Sequence, residues 1–192
     1  MNNRVKCFDI AKGIGILCII AGHMGVEAVN NVVFTFHVPL FFLISGYFMS
    51  SKDTFKGYAA KRTKNLMVPY IFTSLCLIIA EILKDLVVGT PEKVLSDVKN
   101  TFISAIYGSG SNKNLTLIGI QPIGAIWFLF ALLWALLIVK LLIDKKYGAS
   151  IILILAIASY VSSMYVWLPL DIQGGVQHLF SYTLAHILKK GA

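Results

Sequence analysis

Residues 124–139 read Gly-Ala-Ile-Trp-Phe-Leu-Phe-Ala-Leu-Leu-Trp-Ala-Leu-Leu-Ile-Val and end a longer stretch that carries no charged side chain. That stretch covers residues 114–139, and residues 28–51 and 147–170 also lack Asp, Glu, Lys and Arg. Each stretch exceeds the roughly 18 residues that a helix needs to cross a bilayer. The sequence therefore predicts an all-α protein, a polytopic bundle of transmembrane helices.

The composition excludes an ordinary soluble protein. Of the 192 residues, 57% are hydrophobic and 14% are charged, against roughly a quarter charged in soluble domains. The net charge of +8 would suit nucleic acid, but no soluble segment presents a basic face, so we expect no nucleic-acid partner. Cys7, Cys18 and Cys76 have no metal-ligand spacing. We therefore expect neither a disulfide framework nor a zinc site.

Hydropathy predicts six membrane spans and a topology. The spans lie near residues 8–26, 32–50, 67–86, 124–143, 149–168 and 174–188. With a cytoplasmic N-terminus, 13 of the 17 Lys and Arg residues lie on the cytoplasmic side of the membrane. The four on the outer side are Lys84, Lys93, Lys99 and Lys113. The positive-inside rule favours this orientation, which places both termini of a multi-pass cell-membrane protein in the cytoplasm. In the long outer connection, the apolar patch at 101–107 predicts a short interfacial or re-entrant helix.

Ionisable groups inside the first span are candidates for function, because such groups are costly in lipid. Lys12 and His23 are separated by 11 residues, which is about 20° from a whole number of helical turns. Asp9 lies within about 40° of the same face. The sequence predicts a polar stripe with Lys12 near the cytoplasm and His23 near the outer mouth.

His37 follows the first outer turn, and His23 precedes it. Both lie within ~10 Å of the outer boundary at 1.5 Å per residue, so the two imidazoles are predicted to share a pocket. Glu27, four residues after His23, is a candidate to orient that imidazole. The alternatives stay open: the histidines are structural groups, Glu27 is a loop charge, and Lys12 extends to the headgroups.

Two further groups remain open at this point. The cluster of Lys61, Arg62 and Lys64 is either a topology signal or a phosphate-binding site. His178 and His186 are eight residues apart on the sixth span. We interpret them as structural or pore-lining residues without an assigned role.

Four ordered motifs carry a family resemblance. They are Phe8-Asp9-Ile10-Ala11-Lys12-Gly13-Ile14-Gly15-Ile16-Leu17 followed by Gly22-His23, then Phe36-His37-Val38-Pro39-Leu40-Phe41-Phe42-Leu43-Ile44-Ser45-Gly46-Tyr47, then Lys61-Arg62-Thr63-Lys64-Asn65-Leu66-Met67-Val68-Pro69-Tyr70, and Trp127-Phe128-Leu129. Together they resemble the integral-membrane acyltransferase 3 family, in particular the subgroup similar to fucose 4-O-acetylases.

The resemblance implies transfer of an acetyl group from acetyl-CoA to a sugar hydroxyl of an envelope or surface glycan, without a metal. It implies that Lys12, Arg62 and Lys64 bind the CoA phosphates. His23 would be the general base or would carry the acyl group transiently, and His37 would polarise the carbonyl or position the acceptor. Asp9 and Ser45 are assigned to the substrate pocket. Expected partners are a glycan or glycolipid acceptor, membrane lipid, and a second copy or another chain that supplies further spans.

The chain departs from the family pattern in two ways. Lys12 stands where the wider family has an arginine, and Asn65 stands where the wider family has a second arginine. Members of the family that the chain resembles have about ten spans. Residues 1–192 are therefore expected to be the N-terminal portion of such a domain or a shortened member. Two other hypotheses remain: a non-catalytic partner subunit, and a small transporter that uses the polar stripe.

Overall fold

The computed structural model describes residues 6–49, 53–88, 91–110 and 115–191. Lys113, which the topology prediction places outside, is not among them. The described residues form helices α1 (Lys6–Gly22), α2 (Glu27–Tyr47), α3 (Phe55–Val88), α4 (Pro91–Tyr107), α5 (Phe128–Leu142), α6 (Gly148–Ser163), α7 (Ile172–Gln177) and α8 (Leu179–Gly191). Short 3₁₀ helices cover Ala125–Trp127 and Pro169–Asp171. The all-α prediction is confirmed.

Three helical segments in the described residues are long and apolar enough to cross a membrane, namely Glu27–Tyr47, Phe55–Val87 and Ala125–Leu142. Gly148–Ser163 and Leu179–Leu188 are apolar but shorter. The predicted membrane helix bundle is therefore confirmed, whereas the count of six crossings stays a prediction.

Helices α1 and α2 form an antiparallel pair whose register is set by glycines and aromatic rings. The Phe8 ring centroid lies 4.6 Å from that of Tyr47. Midway along the pair, Gly15 packs against the Phe41 ring, and at the far end Gly22 packs against Phe34. Without a β-carbon, each glycine lets a ring lie against the helix backbone. This register places His23 and His37 at the same end of the bundle.

The buried core lies where α2, α5 and α8 meet. Phe42 of α2, Ala131 and Val139 of α5 and Tyr182 of α8 have no exposed surface. Gly46 of α2 packs on the main-chain carbonyl of Tyr182 so closely that a β-carbon would overlap it. These contacts hold α2 and α8 side by side.

The first turn corrects the predicted helix ends. Helix α1 ends at Gly22, not at residue 26, and α2 begins at Glu27, not at residue 32. Gly25 adopts a left-handed φ of +77° in the turn between them, a conformation that glycine adopts without strain. His23 and Glu27 are therefore not four residues apart on one helix, and the helical-spacing argument for their pairing is wrong.

Three other predicted segments also differ from the structure. Helix α3 begins 12 residues before the predicted span. The prediction missed its first three turns because they carry charged side chains, and hydropathy detects only the apolar remainder of the helix. Helix α4 covers Pro91–Tyr107 rather than only the apolar patch at its end. The sixth segment is interrupted between α7 and α8 at His178. The interruption matters because it positions that imidazole.

Candidate active site

A cavity of about 580 Å³ opens at the end of the bundle where α1 ends and α2 begins. It is within the usual size range of small-molecule sites. Three of the chain's four histidines line it: His23, His37 and His178. The predicted shared pocket for the first two imidazoles is therefore present in the structure. Their chemical roles are not tested by this placement.

His37 is the buried imidazole of the cavity, with 9% of its surface exposed. Its Nδ1 atom lies 2.7 Å from the carbonyl oxygen of Val33, one turn earlier in α2. A carbonyl oxygen only accepts hydrogen bonds, so Nδ1 must carry the proton. In the neutral ring, Nε2 then holds a lone pair. The α2 backbone thus fixes the tautomer that can accept a proton at Nε2.

The main-chain carbonyl of Thr35 is a second polar group that α2 contributes beside this imidazole. Pro39 and Thr35 also line the cavity. Because Pro39 has no N–H, it cannot donate to the carbonyl of Thr35 as a residue of a regular helix would. Such backbone is tolerated at membrane depth where it lines a cavity.

His23 lies just past the last turn of α1 and is exposed. Its ring centroid is 6.1 Å from that of Phe34, and Phe34 is 5.4 Å from His37. The phenyl ring therefore contacts both imidazoles. His23 is placed at the mouth of the cavity and His37 in its wall.

His178 is the third imidazole, at the break between α7 and α8. Its ring lies 4.5 Å from the buried Phe42 ring, and it is close enough to interact electrostatically with His37. From the sequence, His178 is expected only to be a structural or pore-lining residue without an assigned role. Hydropathy could not align it with His37, because the depth of a residue on a distant helix does not follow from spacing along the chain.

The opposite wall of the cavity is built around Trp127. Gly110 packs on its indole so closely that a β-carbon at position 110 would overlap the ring, and Gly174 approaches the ring edge. Both Trp127 and Gly110 line the cavity. In the sequence, Trp127 is distinguished only by its place in the family motif Trp127-Phe128-Leu129.

Asp171 supports this wall from behind. Its carboxyl is fully buried, accepts a 2.7 Å hydrogen bond from Nε1 of Trp167 and faces the main-chain N–H of Gly110. It lies between the predicted fifth and sixth spans, and burial raises its pKa from 3.8 to about 7. Asp171 and its neighbour Leu170 have left-handed φ angles of 46° and 58°. Such strain persists only where surrounding contacts enforce it. A lone carboxylate after a charge-free stretch is the signal that could have identified it.

The predicted CoA-binding cations lie elsewhere. Lys12, Arg62 and Lys64 do not occur among the described residues that line the cavity. The Lys12 ammonium lies 5.5 Å from the Phe48 ring centroid, where α2 ends. The Arg62 guanidinium lies 5.1 Å from the Tyr58 ring, which Lys140 also approaches. Lys64 is exposed. Lys12 and Arg62 thus lie over two different aromatic rings.

The remaining predicted site residues also lie outside the cavity lining. Asp9 is half-buried two turns before Gly15, Ser45 is half-buried beside Gly46, and Glu27 is exposed at the first position of α2. Their roles stay predictions.

A cavity with three imidazoles at one end of a bundle of apolar helices defines a membrane protein whose site offers acid–base groups. The chain belongs to the acyltransferase 3 family: the family model, described as an acyltransferase domain, matches residues 5–190. The resemblance carried by the four motifs is therefore confirmed.

Two relatives are similar over most of the chain, both named nodulation protein NolL. The one from Mesorhizobium japonicum is 30% identical over 156 residues, which cover 73% of this chain and 36% of the relative. The one from Sinorhizobium fredii is 25% identical over 155 residues, which cover 73% and 37%. The match thus spans little more than a third of the length of these relatives. No solved structure matches the chain.

Proposed function

We propose that this chain is a membrane O-acyltransferase that passes an acetyl group from acetyl-CoA to a hydroxyl of an envelope or surface glycan. Family membership supports the reaction class. The cavity supports the acceptor class, because it combines imidazoles with an indole face and because His23, one of its lining residues, is exposed. Flat aromatic surfaces and a few convergent polar groups suit a sugar.

The observation that carries the proposal is the contact between His37 Nδ1 and the Val33 carbonyl. It leaves the Nε2 lone pair available to remove a proton from an acceptor hydroxyl. The hydroxyl oxygen then forms a C–O bond with the thioester carbonyl carbon as the C–S bond breaks. The proton on Nε2 passes to the departing CoA sulfur, which leaves as the thiol. Neutral His37 cannot donate from Nε2, so polarisation of the carbonyl is the less suitable of its two expected roles.

The proposal gives His23 the task of binding the acceptor at the mouth, which exchanges the two roles expected from sequence. No hydrogen bond among the described residues fixes the tautomer of His23, and its side chain is exposed. An adjustable donor or acceptor at the mouth suits recognition of sugar hydroxyls. His178, beside His37, would line the acetyl-binding part of the cavity.

The donor would enter from the end of the bundle that carries Lys12, Arg62 and Lys64, which we place in the cytoplasm by the positive-inside rule. About 16 Å of helix separates Lys12 from His23. The pantetheine arm of an acyl-CoA has that order of length, so phosphates bound by the cations would allow the thioester to approach the cavity. Arginine and lysine are the usual partners of phosphate groups.

The test is transfer of labelled acetyl from acetyl-CoA to envelope glycan in membranes that contain the 192-residue chain. The variants are His37→Asn and His23→Gln, with Tyr165→Phe as an exposed control outside the cavity. We expect His37→Asn to lower kcat by ~10²–10⁴-fold, as loss of a general base does. His23→Gln should chiefly raise KM for the acceptor, and the control should match the unmodified chain.

Three results would contradict the proposal. Absence of transfer despite stable insertion would exclude catalysis by this chain and favour the partner-subunit hypothesis. Retention of kcat by His37→Asn would exclude His37 as the base. Flux of substrate across vesicles without any acyl donor would favour the transporter instead.

A further inference from the structure

A second polar cavity of about 500 Å³ lies beside the candidate active site, between the outer part of α3 and helix α4. It shares Pro122 and Gly124 with the histidine-lined cavity. Three carboxylates meet at this place: Glu81 and Asp85 of α3 and Asp97 of α4. One carboxylate oxygen from each lies within 4.8 Å of those of the other two. Nothing in the acyltransfer proposal uses these groups.

Asp85 is the member of this cluster that requires an explanation. Only 2% of its surface is exposed. Its Oδ2 atom is buried and accepts no hydrogen bond from any residue that the structure describes. An ionised carboxylate removed from water without a partner is strongly destabilising. Its side chain nevertheless points toward two further carboxylates, which makes the local charge less favourable still.

Lys84 relieves only part of this charge. Its ammonium forms an ion pair with Glu81, but the lysine side chain is 57% exposed whereas that of Glu81 is 28% exposed. The lysine thus covers the cluster from its solvent side. Asp85 and Asp97 remain without a comparable ion pair among the described residues.

We propose that Glu81, Asp85 and Asp97 bind a divalent cation, and specifically calcium. Oxygens that share one calcium ion at about 2.4 Å lie no more than about 4.8 Å apart, and the three carboxylate oxygens lie within this limit. Calcium takes six to eight oxygen ligands in flexible geometry. Asn100, Thr101 and Gln121 line the same cavity and offer further oxygens. The family resemblance implies no metal, and the sequence does not reveal this site, since carboxylates on two separate helices form no recognisable ligand motif.

The ion would join α3 to α4 next to the 121–124 segment that lines the candidate active site. Asp85 is contributed from the buried side of the contact, and Glu81 and Asp97 from its half-exposed side. The site therefore has a structural role, and its occupancy can be measured without any acyltransfer assay.

The experiment is thermal unfolding of the purified chain in detergent, with EDTA, with calcium and with magnesium, together with calcium titration by calorimetry. We expect calcium to raise Tm by several degrees relative to EDTA. The exposed carboxylate Asp53 provides the matched control. Asp97→Asn and Asp85→Asn should abolish the calcium shift, whereas Asp53→Asn should retain it.

Two variants distinguish carboxylates that bind a cation from carboxylates that only contribute to packing. In EDTA, Asp85→Asn should be at least as stable as the unmodified chain, because an amide replaces an unpaired buried charge. Lys84→Gln should bind calcium several-fold more tightly, because a competing cation is removed. An unchanged Tm in calcium and EDTA, or a full calcium shift in Asp97→Asn, would overturn the proposal. A response to magnesium but not to calcium would overturn the assignment of the ion.

Discussion

Gly46 of α2 packs directly on the main-chain carbonyl of Tyr182 in α8, and no β-carbon fits between them. Gly46 belongs to the motif from Phe36 to Tyr47 that also contains His37. Four residues before Tyr182 in the chain is His178. The close approach at Gly46 thus positions the helix that carries His178 relative to the helix that carries His37.

Gly46→Ala is therefore expected to destabilise the chain by ~1–3 kcal/mol, because the backbones must separate. Thermal unfolding in detergent measures the effect. Gly13→Ala is the matched control, since no atom would lie within 4 Å of its β-carbon. That control should be stabilised by up to about 1 kcal/mol through helix propensity alone. Equal effects of the two substitutions would show that the α2–α8 contact is not tight.

Gly110→Ala is expected to displace Trp127 from the cavity wall and to raise KM for the acceptor. The indole overlaps any β-carbon at position 110, and a rigid ring cannot bend away. The double variant Gly110→Ala/Trp127→Ala removes the clash. It should be as stable as Trp127→Ala alone. Additive losses of stability would mean that Gly110 acts through a different neighbour.

Asp171 gives the stability of the fold a defined pH dependence. Its pKa is about 7 in the folded chain against 3.8 ordinarily, so between these values the folded chain binds the extra proton. The stabilisation is complete below pH ~4 and is lost as the pH rises through ~7. Asp171→Asn should remove this part of the slope of Tm against pH, and Asp53→Asn should preserve it. An unchanged slope in Asp171→Asn would indicate that other groups produce it.

Arg62→Gln is expected to raise KM for acetyl-CoA about tenfold, the effect of losing ~1.4 kcal/mol of binding free energy. The guanidinium is held over the Tyr58 ring, which orients it for a phosphate. Lys56→Gln, an exposed change on the same helix, is the control and should have little effect. If both variants raise KM equally, the interaction is a general attraction to positive charge rather than a site at Arg62.

The apolar segments were predictable because membrane helices have long charge-free sequences. The residues at which the helices end were harder to predict. The turn after Gly22 depends on the left-handed conformation of Gly25. The first turns of α3 are helical although they are charged, so hydropathy gives no signal for them. The break at His178 follows a segment in which Gly174 and Gly175 pack closely against Asp171 and α5, and hydropathy does not register such packing.

The candidate site was predictable in the part that one hairpin builds. His23 and His37 lie in one cavity because they belong to the two arms of one antiparallel hairpin, near the end that its turn closes. Their distances from the turn are unequal, since His23 lies directly after α1 whereas His37 lies ten residues after the start of α2. His178, Trp127 and Asp171 come from segments whose neighbours are chosen by packing, so spacing along the chain could not place them. The calcium proposal has the same origin, since Asp85 and Asp97 meet only after α3 and α4 pack together.

The cavity takes its lining from residues that lie far apart along the chain and are therefore made at different times. About 140 residues separate His37 from His178, and chains emerge from the ribosome N-terminal end first. The α1–α2 hairpin therefore enters the bilayer while one wall of its cavity does not yet exist. Docking of α8 on Gly46 supplies that wall, so the site matures only after α8 has been made. A nascent chain stalled before His178 carries two of the three imidazoles without the enclosure that gives them a chemical environment.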